Sequence, residues 1–406
     1  MTVKCQVCGG TDLFEFLDLG HHPPSDAFLA PEDMEKEERT YPLRLYHCNE
    51  CNLVQIGYAL DPSLIFGEKY VYMSGTNESL RNHLNSIPGY LVEKFGLGPR
   101  DLVVDIGAND GTLLEGFRHF GVRALGVEPS RAGVVMEQKG IQTVRNFFGQ
   151  ELADEILQQH GKAKIITATN VFAHVRDIQS LMNGVRRLLS DDGVFLTESH
   201  YLVDMVNGLQ YVEVYLEHLR YYSIASLTSL FDLFDMVPFH AERVPTHGGS
   251  IRVLSCKKGM YAKSDMLQML IEQENHLQIN SRDTLLKFGR DVSRNRRDLM
   301  QLLWGIKSEG NRIAGVAAPA KGSTLLNYCR IGPELIDYAV DNNPLKVGKY
   351  TPGTHIRIVD ESRLLADQPE YVLLLSWDIK DFLVPKLRKG GYKGRFVVPI
   401  PSPTIC

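Results

Sequence analysis

The chain has 406 residues, a formal net charge of −5 and a sequence that is 44% hydrophobic and 23% charged, proportions that exclude a disordered or collagen-like protein. The mild acidity gives no electrostatic footprint for nucleic acid or an anionic membrane. The sequence contains no apolar run long enough to span a bilayer, and its first residues lack the apolar core of a secretory signal. We therefore expect a cytoplasmic protein of about two to three domains, with no nucleic-acid or membrane partner.

Four of the seven cysteines form two C-x-x-C pairs near the N-terminus. Cys5 and Cys8 make the first pair, and Cys48 and Cys51 make the second. Such pairs are the local chelates from which a tetrahedral four-thiolate zinc site is built. Disulfides are the alternative, which a reducing cytoplasm disfavours. We predict a structural Zn²⁺ ion in a zinc-binding domain of residues 1–65, with no open coordination position for substrate.

The next region alternates short apolar strands with amphipathic helices, a pattern typical of an open, mostly parallel α/β sheet. The predicted strands are 102–106, 123–127, 164–168 and 193–197, and the clearest helices are 150–160 and 178–190.

A glycine loop follows the first of these strands and opens a helix. It carries Asp105, Gly107, Asn109 and Gly111. The loop resembles the D-x-G-x-x-x-G loop of class I S-adenosylmethionine-dependent methyltransferases rather than the G-x-G-x-x-G loop of dinucleotide enzymes. A carboxylate such as Asp105 suits a sulfonium cation and repels the pyrophosphate that a dinucleotide loop must bind. We predict S-adenosylmethionine as cofactor; an NAD enzyme or an incidental glycine loop is the alternative.

Two further strand ends complete the predicted cofactor site. Glu128 ends the next strand about 20 residues downstream, where a carboxylate binds a ribose diol. Asn170 leaves the carboxyl edge of the sheet, where ligands of such sheets lie. The Phe147-Phe148-Gly149 stretch either borders the adenine or begins a helix beneath the sheet. We assign residues 66–260 to a Rossmann-like class I methyltransferase domain.

The remaining residues, 261–406, are predicted to form a helical connector and a second, smaller Rossmann-like α/β domain. Residues 264–308 contain no proline and fit a helical hairpin or connector, and the strands that follow are 312–316, 335–340, 371–375 and 395–399. Lys321 stands in an amide-rich turn at a helix N-terminus, which suits a phosphate. A solvated lysine at an ordinary helix start is the alternative.

Four more stretches occur in a fixed order, namely YVYMSG at 70–75, NVFAH at 170–174, YLEH at 215–218 and HGGSIR at 247–252. Together with the zinc lobe and the cofactor loop, they resemble the sugar C-methyltransferase family over essentially the whole chain. The resemblance implies methyl transfer to C-3 of a nucleotide-linked 4-keto-deoxysugar, in branched deoxysugar biosynthesis.

The resemblance also implies which side chains meet the sugar. It places Tyr215, Glu217 and His218 at the sugar, and His174, Tyr70 and Tyr72 in the same pocket. Leu216 stands where many family members carry histidine, so the polarity of the pocket differs from theirs.

The chemistry assigns roles to these residues. A carbon beside a ketone loses a proton only where the enolate is stabilised. His218 is our predicted base because histidine titrates near neutral pH, and either Tyr215 or His174 stabilises the enolate oxygen. Glu217 either orients an imidazole or binds a sugar hydroxyl. His247 contacts the sugar as part of a lid, or belongs to an ordinary glycine turn.

Simpler interpretations compete with these roles. Tyr211, Tyr215, His218 and Tyr222 have spacings of 4, 3 and 4, which also form one apolar face of a helix. An isolated His174 is more often a core residue. For the whole chain, the alternatives are O- or N-methylation of another large substrate, and a non-catalytic zinc scaffold that binds nucleotide sugars. The intact cofactor loop disfavours the scaffold, and the oligomeric state stays open.

Overall fold

The computed structural model of the chain describes residues 3–61, 73–76 and 78–406. Its first part holds strands β1 (Leu13–His22), β2 (Tyr41–Cys48) and β3 (Val54–Ile56). The middle part holds, in chain order, α1 (Glu78–Phe95), β4 (Leu102–Ile106), α2 (Thr112–His119), β5 (Arg123–Val127), α3 (Ala132–Gln138), β6 (Gln142–Val144), α4 (Gln150–His160), β7 (Ala163–Thr169), α5 (Ile178–Leu188), β8 (Leu189–His200), α6 (Leu202–Asn207), β9 (Arg220–Tyr221), α7 (Ile224–Asp232), β10 (Met236–Val244) and β11 (Ser250–Lys257). The last part holds α8 (Asp265–Leu277), α9 (Arg282–Ser308), β12 (Ile313–Val316), α10 (Ala320–Cys329), β13 (Ala339–Asp341), β14 (Ile358–Asp360), α11 (Ser362–Asp367), β15 (Tyr371–Leu374), α12 (Lys380–Lys389), β16 (Arg395–Val398) and β17 (Thr404–Ile405).

The central sheet has the order β10-β11-β8-β7-β4-β5-β6. Strands β4 to β8 pair in parallel, and β11 and β10 add an antiparallel edge. Every residue of β4 is buried, as expected for a strand covered by helices on both faces. The predicted α/β fold is confirmed, although helix α5 ends two residues earlier than predicted because Leu189 already pairs with Ala163 of β7.

A smaller antiparallel sheet of order β1-β2-β3-β9 forms the N-terminal lobe. Its outer strand β9 comes from the middle of the chain, and Val54 and Gln55 of β3 pair with Tyr221 and Arg220. The lobe therefore shares a sheet with the methyltransferase region rather than resting beside it.

The C-terminal sheet has the order β14-β13-β12-β15-β16-β17 and is parallel except at β17. The order reverses between β12 and β15, which is where open α/β sheets bind ligands. Strand β13 is shorter than the predicted 335–340, because Leu335 and Ile336 are buried in a turn before it.

Two helices, α8 and α9, connect the central and C-terminal sheets, in agreement with the predicted helical hairpin or connector. They are separated at Gln278, whose φ of 48° ends α8, and Ser281 then caps α9. Helix α9 packs against β1 of the lobe so closely that a Cβ on Gly289 would lie 2.1 Å from the carbonyl oxygen of Phe16. Within the described ranges, no helix is both long and apolar enough to cross a membrane.

Candidate active site

The four cysteines of the two C-x-x-C pairs come together at the edge of the N-terminal lobe. The Sγ atoms of Cys5 and Cys51 are 3.4 Å apart, and those of Cys8 and Cys48 are 3.6 Å apart. A tetrahedral zinc ion with Zn–S bonds of about 2.3 Å would set its sulfurs roughly 3.8 Å apart. The hydrogen bond from Cys51 lowers the pKa of Cys5 to about 5, so a thiolate is available. The four residues fit a closed, structural zinc site.

The zinc lobe is continuous with the segment that carries the predicted base. The backbone N–H of Gln6 donates to Oε1 of Gln55 at 2.7 Å, and Gln55 pairs with Arg220 across β3 and β9. The amide of Ile56 donates to the carbonyl of Leu219 at 3.0 Å. The residue before Leu219 is the predicted base, so the lobe fixes the backbone next to it.

Arg220 ties the same segment to the wall of the cofactor pocket. Its side chain is 1% exposed, and its guanidinium donates to the carbonyls of Val175 and Arg176 at 2.6 and 3.1 Å. The amide of Leu219 donates to the carbonyl of Ala173 at 3.0 Å. Strand β9 therefore lies between the zinc lobe and the loop that follows β7.

The predicted cofactor loop turns sharply at the end of β4. Gly107 has a φ of 67°, and a Cβ there would lie 2.4 Å from Cγ2 of Val171, so only glycine fits. Asp105 accepts a hydrogen bond from the Thr167 hydroxyl at 2.6 Å. Burial raises the pKa of Asp105 to about 7 against the lowering effect of that hydroxyl.

Glu128 is held in a fixed orientation at the end of β5. One carboxylate oxygen accepts from the amide of Asn109 at 2.9 Å, and the other accepts from the amide of Ser130 at 2.8 Å. Gly111, with a φ of 77°, lies behind the loop, where a Cβ would meet Ile141. Its role is to begin α2, and it does not line the cavity.

A cavity of about 460 Å³ opens at the carboxyl ends of β4, β5 and β7. Its lining includes most of the predicted cofactor residues, namely Asp105, Gly107, Asn109, Glu128 and Asn170. Phe147 and Phe148, which could border the adenine, and His174, which was predicted to meet the sugar, line it as well. Two backbone amides from the described end of the YVYMSG stretch donate hydrogen bonds to the cofactor loop after β4. Ser74 donates to Oδ1 of Asn109 at 2.8 Å, and Gly75 donates to Oδ2 of Asp110 at 3.0 Å. Tyr70 and Tyr72 of that stretch lie outside the described residues.

The predicted base has a defined tautomer. Nδ1 of His218 lies 2.8 Å from the carbonyl oxygen of Glu213 and must donate to it, because a carbonyl only accepts. Nε2 is then the nitrogen with a lone pair, and the Tyr215 hydroxyl donates to it at 2.8 Å. Burial lowers the pKa of His218 well below its ordinary value, with neighbouring histidines adding to the effect. The ring is therefore a neutral acceptor at Nε2.

The ring of His218 belongs to a cluster of four histidine rings, which we call the histidine cluster. His174, which lines the cofactor cavity, has its ring centroid 4.7 Å from that of His218. His200 lies 4.6 Å from His218 on another side, and His247 lies 5.7 Å from His200. Burial, and then the charge of His200, lower the pKa of His174 and of His247 to about 4. The histidine cluster thus adjoins the cofactor cavity.

Three family models match this chain, and together they span most of its length. The "C-methyltransferase C-terminal domain" model matches residues 245–401, a "Methyltransferase domain" model matches 81–237, and the "Putative zinc binding domain" model matches 5–66. C-methyltransferase NovU of Streptomyces niveus is 33% identical over 99% of this chain and 96% of its own length. This chain belongs to the C-methyltransferase family.

Three further similar proteins each cover less than half of this chain. The uncharacterized methyltransferase YcgJ of Bacillus subtilis is 30% identical over 24% of this chain and 40% of its own length. Among solved structures, a SAM-dependent methyltransferase of Anabaena variabilis has a TM-score of 0.37 and 14% identity, covering 46% of this chain and 88% of its own. Magnesium protoporphyrin IX methyltransferase of Synechocystis with bound SAM has a TM-score of 0.35 and 14% identity, covering 48% and 89%.

The family fixes the cofactors of this C-methyltransferase. It is an S-adenosylmethionine-dependent enzyme, and the four-cysteine cluster binds Zn²⁺. The predicted class I methyltransferase fold with an N-terminal zinc lobe and a C-terminal α/β domain is confirmed. The boundaries after residues 65 and 260 stay predictions.

Lys321 of the C-methyltransferase has a different environment from the one predicted. It stands in the first turn of α10, as expected, but its ammonium is buried and donates to Glu213 at 3.0 Å and to Asp378 at 2.7 Å. The solvated lysine of the alternative interpretation is therefore wrong. Burial would lower the pKa of Lys321, but the two carboxylates raise it to about 12, so Lys321 joins the C-terminal domain to the histidine cluster.

The ion-pair network around Glu198 was not predicted from the sequence. Glu198 is fully buried near the end of β8, 2.7 Å from Nε2 of His83 on α1 and 3.0 Å from the guanidinium of Arg252 on β11. The Thr246 hydroxyl donates to it at 3.3 Å. This network holds α1, whose Leu80 and other residues line the cavity, against the sheet. The position of Glu198 at a carboxyl strand edge was the one indication the sequence offered.

The helical alternative for the tyrosine and histidine spacing is wrong. The chain makes a 3-10 turn at Tyr211–Glu213, continues in extended conformation at Val214 and enters β9. The hydroxyl of Tyr211 donates into the core, to Asn295 at 2.9 Å. His247, with a φ of 54°, lies in the short turn before β11, so the glycine-turn interpretation holds while its ring reaches the cluster.

Proposed function

We propose that this enzyme transfers a methyl group to C-3 of a nucleotide-linked 4-keto-deoxysugar by way of an enolate. The observation that carries the proposal is the juxtaposition of a neutral, correctly oriented imidazole, that of His218, with a ring that lines the cofactor cavity, that of His174. Removing a proton from a carbon beside a ketone requires such a base. The proposal places the sugar against the histidine cluster.

Several buried polar atoms around this cluster support a polyhydroxylated ligand. Oδ1 of Asn170, Oε2 of Glu217 and Nε2 of His247 have no hydrogen-bond partner among the described residues. A buried polar atom without a partner costs about 1–3 kcal/mol, so such groups in one region are typical of a site completed by its ligand. Sugar hydroxyls supply both donors and acceptors.

The mechanism follows from the tautomer of His218. Its Nε2 takes the proton from C-3, and its Nδ1 stays bonded to the Glu213 carbonyl, so the ring does not turn as charge develops. Tyr215, which donates to Nε2 in the free enzyme, gives up that bond when the substrate arrives. Glu217, buried beside this pair, is assigned to a sugar hydroxyl.

The residues that line the cavity are assigned to binding the methyl donor. Glu128 would hold the ribose of S-adenosylmethionine, and Asp105, Asn109 and Asn170 would hold the rest of the molecule beside it. When bound, the cofactor supplies an electrophilic methyl group on a sulfonium. The chain's part is to hold the loop in position, to which the amides of Ser74 and Gly75 contribute by donating to Asn109 and Asp110.

We assign the nucleoside diphosphate to the crevice of the C-terminal sheet. The order of strands reverses between β12 and β15, and Lys321 and Asp378 follow those two strands. Lys321 contacts Glu213, and Glu213 in turn contacts His200 of the histidine cluster. A diphosphate there extends its sugar toward His218.

Isotope exchange tests the proposal without the methyl donor. Incubated in heavy water with thymidine diphosphate-linked 4-keto-6-deoxyglucose, the enzyme should place deuterium at C-3, read by NMR. His218→Ala should abolish the exchange, and His119→Ala, at an exposed site, should not. Exchange at C-5, the other carbon beside the ketone, would overturn the assignment of C-3.

A negative result is also informative. An enzyme that binds S-adenosylmethionine, yet neither exchanges nor methylates the thymidine, uridine or guanosine diphosphate form of the ketosugar, would act on another substrate, with O- or N-methylation again among the alternatives.

A further inference from the structure

His200 ends β8 at the carboxyl edge of the central sheet, the edge at which the cofactor cavity opens. Its ring centroid is 4.6 Å from that of His218. We propose that His200 is a second catalytic residue, whose imidazolium donates a hydrogen bond to the ketone oxygen while His218 removes the neighbouring proton. The inference rests on the proposed enolate chemistry and replaces Tyr215 and His174 as the predicted stabiliser of the oxygen.

The orientation of the ring is set by Glu213. Nε2 of His200 lies 3.1 Å from Oε2 of Glu213, whose side chain is 2% exposed. Burial would raise the pKa of Glu213, but Lys321 and His200 outweigh it and hold the pKa well below its usual range. An ionised carboxylate only accepts, so Nε2–H of His200 donates to it. Because Nε2 is committed to Glu213, Nδ1 is the nitrogen left to meet a ligand.

Other ionisable groups surround the ring of His200. The groups that face His200 from the surrounding elements are Glu213, Lys321, His174, His218 and His247. The pKa values of the three other histidines are lowered by burial and then by His200, so those rings are neutral near pH 7. Nε2 of His200 lies 3.1 Å from the ionised carboxylate of Glu213, and an opposite charge at that distance stabilises a cation.

Lys321 supplies the remaining cation. It lies 3.0 Å from Oε1 of Glu213, while His200 contacts the other oxygen, Oε2. Although His200, Glu213 and His218 have ligand atoms within 4.8 Å of one another, an ammonium on the same carboxylate repels a divalent metal. The trio is therefore a proton-transfer and hydrogen-bonding group, and zinc analysis should find about one ion per chain.

The step balances with these two rings alone. The C–H bond at the carbon beside the ketone breaks, and the proton bonds to Nε2 of His218. The electron pair of that bond forms the carbon–carbon double bond, and the carbonyl π pair moves to oxygen. Nδ1–H of His200 donates to that oxygen. The carbon that loses the proton and the oxygen are both bonded to the carbonyl carbon, so two rings with centroids 4.6 Å apart can reach both.

Three variants distinguish this role from a structural one. With the same thymidine diphosphate ketosugar and S-adenosylmethionine, His200→Ala should lower kcat about 100- to 1,000-fold with little change in KM, the usual effect of losing an oxyanion donor. His200→Asn keeps a neutral N–H near the position of Nδ1 and should recover part of the rate. Because an amide does not titrate, its pH–rate profile should lose the alkaline limb. Glu213→Gln should shift that limb to lower pH, because the imidazolium loses its counter-charge.

The outcomes separate this inference from the proposed function. A wild-type enzyme without exchange or methylation would overturn the enolate chemistry itself. If the wild type reacts and His218→Ala does not, but His200→Ala keeps kcat within about threefold, the role of His200 is overturned. The same holds if His200→Asn keeps the wild-type alkaline limb. Zinc content and S-adenosylmethionine affinity of each variant should match the wild type, which shows that the fold is intact.

Discussion

Glu217 lies one residue before the proposed base, and its surroundings favour the protonated carboxyl group. Burial, and next the charge of Asp26, raise its pKa to about 8, outweighing the hydrogen bonds from the backbone and hydroxyl of Ser25. The acid is therefore neutral at pH 7 and donates a hydrogen bond. This suits a group that meets an uncharged sugar hydroxyl rather than one that holds an imidazolium.

This shift predicts a pH-dependent stability. A carboxyl whose pKa is higher in the folded state stabilises the fold fully below its unfolded pKa of about 4.3, and that contribution is lost as the pH rises toward 8. Glu217→Gln should therefore match the wild type near pH 4 and exceed it by a few kcal/mol near pH 8. Calorimetry across this pH range measures the difference. Glu35→Gln, at an exposed site, should follow the wild type; parallel curves for Glu217→Gln would contradict the assignment.

At the scale of single residues, the sequence located the side chains that belong to one local pattern. Gly107 and Glu128 stand at fixed distances from strand ends, and the backbone of a strand, turn and helix brings them to one cavity. His200 and Glu213 belong to no such pattern. They meet because β8 and the segment before β9 converge, which no spacing in the sequence encodes.

Helix α9 provides a test of how the connector is held. Alanine for glycine inside a helix usually stabilises it by about 0.5–1 kcal/mol. Gly305→Ala should do so, because a Cβ there has no heavy atom within 4 Å among the described residues. Gly289→Ala should destabilise the protein by about 1–3 kcal/mol, because its Cβ would overlap the Phe16 carbonyl. Opposite shifts in the thermal midpoint are expected, and equal shifts would show that α9 does not dock on β1.

The elements themselves were predictable to different degrees. The strands β4 and β5 and the helix α4 match the predicted bounds, because apolar runs bounded by glycine leave few alternatives. The spacing of the aromatic residues from Tyr211 to Tyr222 favoured a helix that the structure does not contain. The segment is a short 3-10 turn followed by extended chain, and Tyr211 is buried by its own contact with Asn295 rather than as part of a helix face. The break between α8 and α9 at Gln278 could not be predicted, because no proline or glycine stands there.

At the scale of the whole molecule, the zinc site and the active site are connected by the sheet β1-β2-β3-β9. We expect chelation of zinc to release β3 and so to weaken β9, its neighbour. Hydrogen exchange should then accelerate in peptides that cover Leu219 to Tyr222, while β16 of the C-terminal sheet keeps its protection. Methyl transfer should fall in parallel. Loss of protection in the lobe alone, with β9 unchanged, would show that zinc supports only its own domain.

The architecture as a set of three sheets followed from the sequence, but the sharing of a strand between two of them did not. β9 has two residues, too few to announce a strand, and its partner β3 lies more than 160 positions earlier in the chain. Long-range pairing of this kind is decided by tertiary packing rather than by local propensity.

That shared strand restricts how the protein can be divided or recombined. A fragment cut between the lobe and α1 would expose β3 on one side and β9 on the other, two complementary unpaired edges. The lobe is therefore less a detachable module than the outer half of a split sheet. Chimeras that exchange lobes between relatives have to exchange β9, and with it the backbone beside the base, as one inherited unit.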